Sequence, residues 1–216
     1  MCFSPAVSFT ASSALAVIGI MTLRKTKTPQ EWPLASLPLL FAAQQFVEGL
    51  LWLALLGGES GAGQYWLTQI YTVFAGILWP LLIPLGILLI EPDQRRKRLL
   101  LGLLLISGGL AVYTLSVIAR FGFHAEIVNA CILYSHPAEQ GPHMLALYIL
   151  TTCAAFFCSS GRGIRWIGLA NILAFMAAAN FYWTNFVSVW CFFSALVSGL
   201  IYLYFSHKNQ AEKGHS

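Results

Sequence analysis

The sequence predicts an all-α protein, a polytopic transmembrane helical bundle of seven spans with its N-terminus outside and its C-terminus cytoplasmic. Hydrophobic residues make up 58% of its 216 residues and charged residues 9%, against usual shares of about 45–50% and about 25%. The apolar residues also form long stretches, and eleven of the twelve Lys and Arg residues fall in alternate connections. So few charges cannot keep a soluble surface hydrated, which excludes the soluble and nucleic-acid-binding classes.

A membrane span needs ~20 mainly apolar residues, and seven stretches satisfy this. Continuous apolar runs such as residues 99–106 lack the alternation of barrel strands, so the spans are helices. The boundary at 181–186 has no Gly or Pro, so a six-span alternative stays open. The single membrane domain covers residues 1–206, and a polar cytoplasmic tail covers 207–216. The predicted spans are about 5–23, 34–56, 65–90, 99–119, 143–160, 164–182 and 186–206.

Basic residues set the expected orientation. They follow the first, third, fifth and seventh predicted spans, and only Arg120 falls on the other side. Cytoplasmic loops are enriched in Lys and Arg, so the N-terminus is expected outside, in a multipass protein of a bacterial inner membrane. The basic loops would face anionic lipid headgroups, so the bilayer is the expected partner and no nucleic acid is needed.

Glu48 is the one charged residue well inside a predicted span. An ionisable group at that depth is costly and is a functional-site hypothesis by default. Gln44 lies four residues before Glu48, and Gln45 three before it. Trp52 lies four residues after it, so all three share the helical face of Glu48. Two interpretations stay open. In the first, these residues form a buried network of hydrogen bonds that holds helices together. In the second, they bind a ligand or exchange a proton.

The remaining polar side chains of the spans concentrate toward the outer side, among them Gln69 and Asn180. The long outer loop, about 120–142, is of the length that forms lids or binding elements. Its apolar segment 127–134 is expected to fold back onto the mouth of the bundle. His124, His136 and His143 are metal-ligand types, but their spacing matches no metal motif, so ordinary loop histidines are the alternative.

Three of the five cysteines, Cys2, Cys131 and Cys191, are predicted on the outer side, where one disulfide can form. A Cys2–Cys191 bridge would tie the N-terminus to the last span, Cys131 is the rival partner, and three free thiols are the third alternative. The last span also carries small and hydroxyl residues at helical spacing, which favours a close helix-packing face. They are Ser188, Cys191, Ala195, Ser198 and Tyr202.

The opening residues 1–4 (Met-Cys-Phe-Ser), the segment 37–49 and the Trp-Cys-Phe-Phe segment 190–193 resemble a family of small bacterial multipass membrane proteins of unknown function. Trp79-Pro80 and Glu91-Pro92-Asp93 fit the same pattern, and the likeness covers nearly the whole chain. The resemblance implies membrane identity and no mechanism. It implies that the family pattern includes Cys2, Gln45, Glu48 and Cys191.

The cofactor of this chain is unknown from sequence. A retinal protein needs a lysine within a span, and a bis-His haem protein needs histidines within its spans. The predicted spans offer neither, so retinal and bis-His haem are not expected. A metal held by His124, His136 and His143 stays an open alternative. The leading hypothesis is binding or transport of a small molecule or proton in a polar pocket around Glu48 that opens to the outer face. The alternatives are an outer-leaflet enzyme using Glu48 and the loop histidines, with or without a metal, and a structural partner subunit. The ligand- or proton-handling candidates are Glu48, Gln44, Gln45, Trp52, Gln69, Asn180 and Trp190.

Overall fold

The computed structural model describes residues 4–58, 61–137 and 142–213. In those residues, six helical stretches are long and apolar enough to cross a membrane, and a seventh apolar helix, His143–Phe157, is shorter. The molecule is therefore a helical bundle of the multipass membrane type. The six long stretches are Pro5–Leu23, Pro29–Leu56, Ala62–Ile90, Gln94–Arg120, Arg162–Phe181 and Trp183–Gln210.

Several of these stretches are divided into shorter elements, which are labelled in chain order. The α-helices are α1 Pro5–Leu23, α2 Trp32–Ala35, α3 Leu37–Leu56, α4 Ala62–Val73, α5 Trp79–Ile90, α6 Gln94–Arg120, α7 Pro142–Ile149, α8 Ala155–Phe157, α9 Arg162–Phe181, α10 Phe186–Ser198 and α11 Leu200–Lys213. Short 3₁₀ turns lie at Pro29–Glu31 and Trp183–Asn185, and two strands are β1 His124–Val128 and β2 Cys131–Ser135.

The span boundary that looked weakest in the sequence is a real break in the helix. Helix α9 ends at Phe181, and the 3₁₀ turn Trp183–Asn185 separates it from α10. The fifth predicted span is the short one instead, because His143–Phe157 falls below the length of the others. The first part of the predicted polar tail is helical, since α11 continues to Lys213.

Two π-helical turns interrupt helices: Phe74–Leu78 lies in the long stretch Ala62–Ile90, and Leu150–Ala154 lies in the shorter helix His143–Phe157. A π-turn changes the backbone hydrogen-bond pattern and is common at functional sites. Hydroxyls from neighbouring helices bond to the first turn: Tyr148 donates to the carbonyl of Ala75 at 2.7 Å and Thr114 to that of Gly76 at 3.3 Å. The π-turns therefore draw polar side chains into the middle of the bundle.

The basic loops meet at one end of the bundle, called here the basic end. Lys208 of α11 forms an ion pair with Glu31, and Asn209 donates to the carbonyl of Lys25 at 2.9 Å. Arg96 donates to the carbonyl of Cys158 at 3.2 Å. These contacts join α11 to the connection that follows α1, and the start of α6 to the connection that follows α8.

Glu91 is a second buried carboxylate of the basic end, in addition to Glu31. It accepts hydrogen bonds from the Ser160 backbone N–H at 2.8 Å, the Ser159 hydroxyl at 3.2 Å and the Asp93 N–H at 3.3 Å. Burial by itself raises the pKa of this carboxyl, but the hydrogen bonds outweigh burial and hold the pKa below 4.5. The charged form of Glu91 therefore stabilises the folded bundle.

This stabilisation predicts a pH dependence. A depressed pKa contributes stability that is present above the unfolded value of 4.5 and is lost as the pH falls through the lower folded value. Glu91→Gln should lower the free energy of unfolding by about 1–3 kcal/mol at pH 7 and by progressively less below pH ~4.5. Thermal unfolding of the detergent-purified protein across pH 3–7 measures this, with the exposed Glu126→Gln as control. A Glu91→Gln deficit that stays constant down to pH 3 contradicts it.

The long connection at the opposite end, called here the hairpin end, contains a feature that the all-α prediction lacks. Strands β1 and β2 pair antiparallel, with Val128 opposite Cys131. Asn129 and Ala130 form the two-residue turn with φ of 53° and 57°, as a type I′ turn requires. The apolar segment does fold back onto the bundle, because Ile132 is fully buried.

The turn predicts a stabilising substitution. Alanine in the left-handed region costs roughly 1–2 kcal/mol relative to a right-handed conformation, a penalty that glycine lacks. Ala130→Gly should therefore stabilise the hairpin by about 1 kcal/mol, whereas the β-branched Ala130→Val should destabilise it. Amide hydrogen exchange of β1 and β2 measures both changes. Equal protection in the two variants contradicts the assignment of strain to this position.

Candidate functional site

Glu48 lies inside the bundle on α3, with only 2% of its surface exposed. The Ser188 hydroxyl of α10 donates to one carboxyl oxygen at 2.5 Å, and the Gln45 side-chain amide donates to the other at 3.0 Å. The carboxyl therefore faces a neighbouring helix rather than lipid. The hydrogen bond from Ser188 links α3 to α10, which are far apart in the chain, whereas the bond from Gln45 lies within α3.

The face of α3 that carries Glu48 is buried along its length. Gln44 and Gln45 are fully buried and Trp52 is 3% exposed. The indole N–H of Trp79, on α5, donates to the Gln44 side-chain oxygen at 2.9 Å. The structure thus brings together the four residues that share a helical face in the sequence, and it joins them to two further helices.

The hairpin covers this face. Ala125 and Ile132 pack on Leu51 and Trp52, and the ring of Tyr134 stacks on that of Tyr71, with centroids 4.4 Å apart. The mouth of the bundle above Glu48 is therefore closed by β1 and β2. Neither of the two cavities described next is the pocket expected around Glu48, because neither is lined by Glu48, Gln44, Gln45 or Trp52.

The larger cavity, called here the hairpin-side cavity, has a volume of about 170 Å³. It lies between the first π-turn, α6, the end of β2, α7 and α10, and His136 is part of its wall. Its wall includes six aromatic side chains: Tyr113, Phe123, Tyr134, Tyr148, Phe186 and Trp190.

A second, smaller cavity of about 40 Å³, called here the deep cavity, extends toward the basic end. Its wall includes Leu37 near the start of α3 and Ile201 in α11. Tyr148, Trp190 and Cys191 line both cavities. The edge of the Tyr148 ring faces Trp190, with centroids 5.4 Å apart. These shared side chains therefore form the partition between two cavities in series.

Three residues of the hairpin-side cavity carry buried polar atoms that have no hydrogen-bond partner among the described residues. They are the hydroxyls of Tyr113 and Tyr134 and the indole N–H of Trp190. An unsatisfied buried polar group costs roughly 1–3 kcal/mol. These three atoms expose almost no surface, so they lie within the packed wall and do not face the open space of the cavity.

The cavity and the Glu48 cluster are neighbours. Tyr134 and Cys191 line the cavity, and both also pack with Tyr71 and Val47 of the cluster around Glu48. Ser188, which donates to Glu48, lies three residues before Cys191 on the same helix. A change in the cavity wall can therefore reach Glu48 through direct contacts.

Two predicted ligand candidates lie elsewhere. Gln69 is buried, but its side chain bonds to the backbone of Phe123, accepting from the N–H at 3.0 Å and donating to the carbonyl at 2.9 Å. It anchors the start of the hairpin. Asn180 is exposed and donates to the carbonyl of Met176 in its own helix at 2.7 Å. Neither lines the cavities. Trp190, the third outlying candidate, lines both.

The three histidines do not converge. His124 and His143 are exposed, and His136 lies against the ring of Phe123, with centroids 4.7 Å apart. Within the described residues, no group of three or more His, Cys, Asp or Glu side chains has the arrangement of a metal site. Desolvation lowers the pKa of His136 below 6.5, which favours its neutral ring beside the cavity.

The cysteines pair differently from the bridge considered first. Cys191 is a buried free thiol, whereas Cys131 is disulfide-bonded. The Cys2–Cys191 bridge is therefore wrong, because Cys191 of α10 packs into the interior beside Tyr71 and Ala75. Cys2 itself lies outside the described residues. Cys153 and Cys158 are also free.

Sequence reasoning missed the tyrosines of the cavity and the role of Ser188. Ser188 belonged to the small-residue stripe of the last span, which indicated packing, and it also donates to Glu48. Tyr134 lay in the segment expected to fold back on the bundle. Tyr113 and Tyr148 had only one available signal, a hydroxyl within an apolar stretch.

Comparison with known proteins gives a match to a family model. A family model described as a family of unknown function (DUF6629) matches residues 1–216. No curated protein matches the sequence. No solved structure matches it either.

Proposed function

The chain belongs to the DUF6629 family of unknown function, and from that premise we propose that it is a bacterial inner-membrane protein that binds a small molecule in the hairpin-side cavity. The observation that carries the proposal is a cavity of about 170 Å³ whose wall is made mostly of aromatic and aliphatic side chains, with the hydroxyls of Thr72 and Thr114 and the imidazole of His136 among its polar groups. Binding sites are concave and mostly apolar, with a few polar groups that orient the ligand. The cavity has that character.

The proposed topology is seven spans with the N-terminus outside. The short helix His143–Phe157 supports the seventh crossing, because it runs from the hairpin end to the Ser159–Arg96 contact at the basic end. The Lys and Arg residues collected at the basic end favour that end as cytoplasmic. The hairpin end, and with it the larger cavity, then lies on the outer side.

In this proposal, Glu48 couples ligand binding in the hairpin-side cavity to the uptake or release of a proton. Its bond to Ser188 joins α3 to α10, and α10 supplies four residues of the cavity wall: Phe186, Val187, Trp190 and Cys191. A ligand that shifts α10 changes the hydrogen bonding of Glu48. A carboxyl in such a place can take up or release a proton in response.

A cavity-filling variant tests binding. Leu110 is buried and lines the hairpin-side cavity, so Leu110→Trp should occupy it. The thermal unfolding of both proteins is followed in the same nanodiscs with acetophenone, benzoate and benzylamine, which are uncharged, anionic and cationic rings. The proposal expects at least one of them to stabilise the wild type by RT ln(1 + [L]/Kd) and not to stabilise Leu110→Trp. It fails if none does, or if both proteins respond equally.

Transport is the second candidate function, and the deep cavity favours it. A route that continues past Tyr148 and Trp190 toward the basic end is what a carrier needs. Ser198 lines the deep cavity but not the hairpin-side cavity. Ser198→Leu should therefore narrow the deep cavity and leave the hairpin-side cavity unchanged. Uptake of the bound compound into proteoliposomes should fall in this variant while binding is kept. Binding without uptake in the wild type rejects transport.

A further inference from the structure

We infer that Cys131 is joined by a disulfide bond to Cys2, and that this bond straps the hairpin over the mouth of the bundle. The inference goes beyond the proposed function and does not depend on a ligand. Three observations lead to it: the covalent states of the cysteines, the direction of α1 and the position of Cys131 in the hairpin.

The covalent states of the cysteines identify the partner. The sequence contains five cysteines. Cys131 is disulfide-bonded, whereas Cys153, Cys158 and Cys191 are free thiols. The cysteine of the sequence that remains is Cys2, which precedes the described residues. A bond from Cys131 within the chain can therefore end only at Cys2.

The direction of α1 brings its start to the hairpin end. Gly19 of α1 lies against Leu39 of α3. Ten residues earlier in α1, Phe9 packs against Gly49, which is ten residues later in α3. The two helices are therefore antiparallel, and α1 starts at the end of the bundle where α3 finishes.

The start of α1 is close to the part of α3 that the hairpin covers. Helix α1 begins at Pro5, one turn before Phe9 and so about 6 Å beyond the contact with Gly49. The hairpin packs on Trp52, about one turn beyond Gly49 on α3. Cys2 is three residues before Pro5, and three residues of extended chain span up to about 10 Å. The chain therefore allows Cys2 to reach the hairpin.

Cys131 occupies a position from which a bond can hold the hairpin in place. It is the first residue of β2, directly after the two-residue turn, and it pairs with Val128 of β1. Its side chain is fully buried in a cluster with Val189 and Trp190 of α10. The next residue, Ile132, is part of the contact that closes the mouth above Glu48. A bond at Cys131 thus restrains both the turn and this contact.

Apart from the bond, the hairpin is attached by packing and by side-chain hydrogen bonds to its backbone. Gln64 donates to the carbonyl of Ala125 at 3.2 Å, and Asn185 donates to that of Val128 at 3.1 Å. Such bonds contribute little net stability, because water offers similar ones when the hairpin detaches. A two-stranded hairpin is also marginally stable by itself. A covalent strap is therefore expected to decide how tightly the cover is held.

Formation of the strap is a two-electron oxidation. The thiols of Cys2 and Cys131 lose two protons and two electrons as the S–S bond forms. The disulfide of an outer-compartment oxidoreductase accepts them through a mixed disulfide and leaves as a dithiol. Disulfides persist on the oxidising side of a membrane and are rare in the cytoplasm. The bond therefore favours the orientation that the basic loops also favour, with the hairpin end outside.

Counting thiols tests the pairing. Cells are quenched with acid, and the protein is denatured and alkylated before air can oxidise it. The wild type should show three alkylated cysteines without reduction and five after it, and peptide mass spectrometry should find Cys2 linked to Cys131. Without reduction, Cys2→Ser should show four alkylated cysteines, whereas the control Cys158→Ser keeps the bond and shows two. Five alkylated cysteines in the unreduced wild type, or a bond to any other cysteine or to a second chain, overturns the inference.

Amide hydrogen exchange tests the strap. Cys2→Ser removes the bond and leaves the buried Cys131 side chain in place. In detergent, β1 and β2 of this variant should exchange at least about tenfold faster than in the wild type, because the bond restricts local opening. The Cys158→Ser control should exchange as the wild type does, and reduction of the wild type should reproduce Cys2→Ser. Unchanged exchange in the hairpin, or an equal increase in α5, overturns the strap role.

Discussion

Replacing Gly19 with leucine should prevent the bundle from folding. Gly19 of α1 lies directly against α3, where an added Cβ would be 2.6 Å from the backbone nitrogen of Leu39 and 2.8 Å from its Cα. A backbone cannot rotate aside as a side chain can, so the two helices must separate. Overpacking costs about 1–3 kcal/mol even for small additions, and small residues are what allow close packing of helices in membranes.

The matched control is Gly102, which lies on the exposed face of α6 with nothing within 4 Å of an added Cβ. Gly19→Leu should yield little monodisperse protein in detergent, whereas Gly102→Leu should express normally. Gly19→Ala gives a measurable intermediate, with the free energy of unfolding lowered by about 1–3 kcal/mol. Equal melting temperatures for Gly19→Ala and Gly102→Ala would contradict the contact.

Glu48→Ala should lower the free energy of unfolding by about 2–5 kcal/mol, the range for truncating a buried side chain. The change leaves a void in α3 and removes the acceptor of both Ser188 and Gln45, which are buried donors. Glu48→Gln keeps the volume but turns an NH₂ group toward one donor, so a smaller loss of about 1–3 kcal/mol is expected. Thermal unfolding in detergent measures both changes.

A double-mutant cycle distinguishes a purely structural role of the Glu48 hydrogen bonds from the proposed coupling role. Glu48→Gln combined with Ser188→Ala should be less destabilised than the sum of the single variants, because the two residues share one hydrogen bond. The exposed Glu126→Gln is the control and should change little. Additive losses would show that the Glu48–Ser188 contact contributes no stability. If Glu48→Gln binds acetophenone as the wild type does and differs from it only in stability, the carboxyl of Glu48 has a purely structural role.

Much of the fold was predictable because hydrophobicity, span length and charge placement act locally along the chain. The shares of apolar and charged residues require lipid, and the basic clusters divide the loops into two sets. The same local logic identified Glu48 and its face, because residues three and four apart on a helix are neighbours. These conclusions needed no knowledge of which helices touch.

Tertiary structure decided everything that depends on contacts between distant segments. Ser188 meets Glu48 across 140 residues of chain, and periodicity within one helix cannot show which residue of another helix faces it. The hairpin closed the expected opening above Glu48, because a two-residue turn let the apolar segment fold onto Leu51 and Trp52.

The sequence by itself determined a membrane bundle, the end at which its basic loops collect, and the one charged residue that lies well inside a predicted span. The structure decided where the open space lies, beside Glu48 and among the rings of Tyr113, Tyr134 and Trp190. The physical reason is that a buried charge can be recognised from the sequence of a single span, whereas a cavity is the space left between several helices. Its shape depends on how π-turns, glycines and rings from different helices pack together.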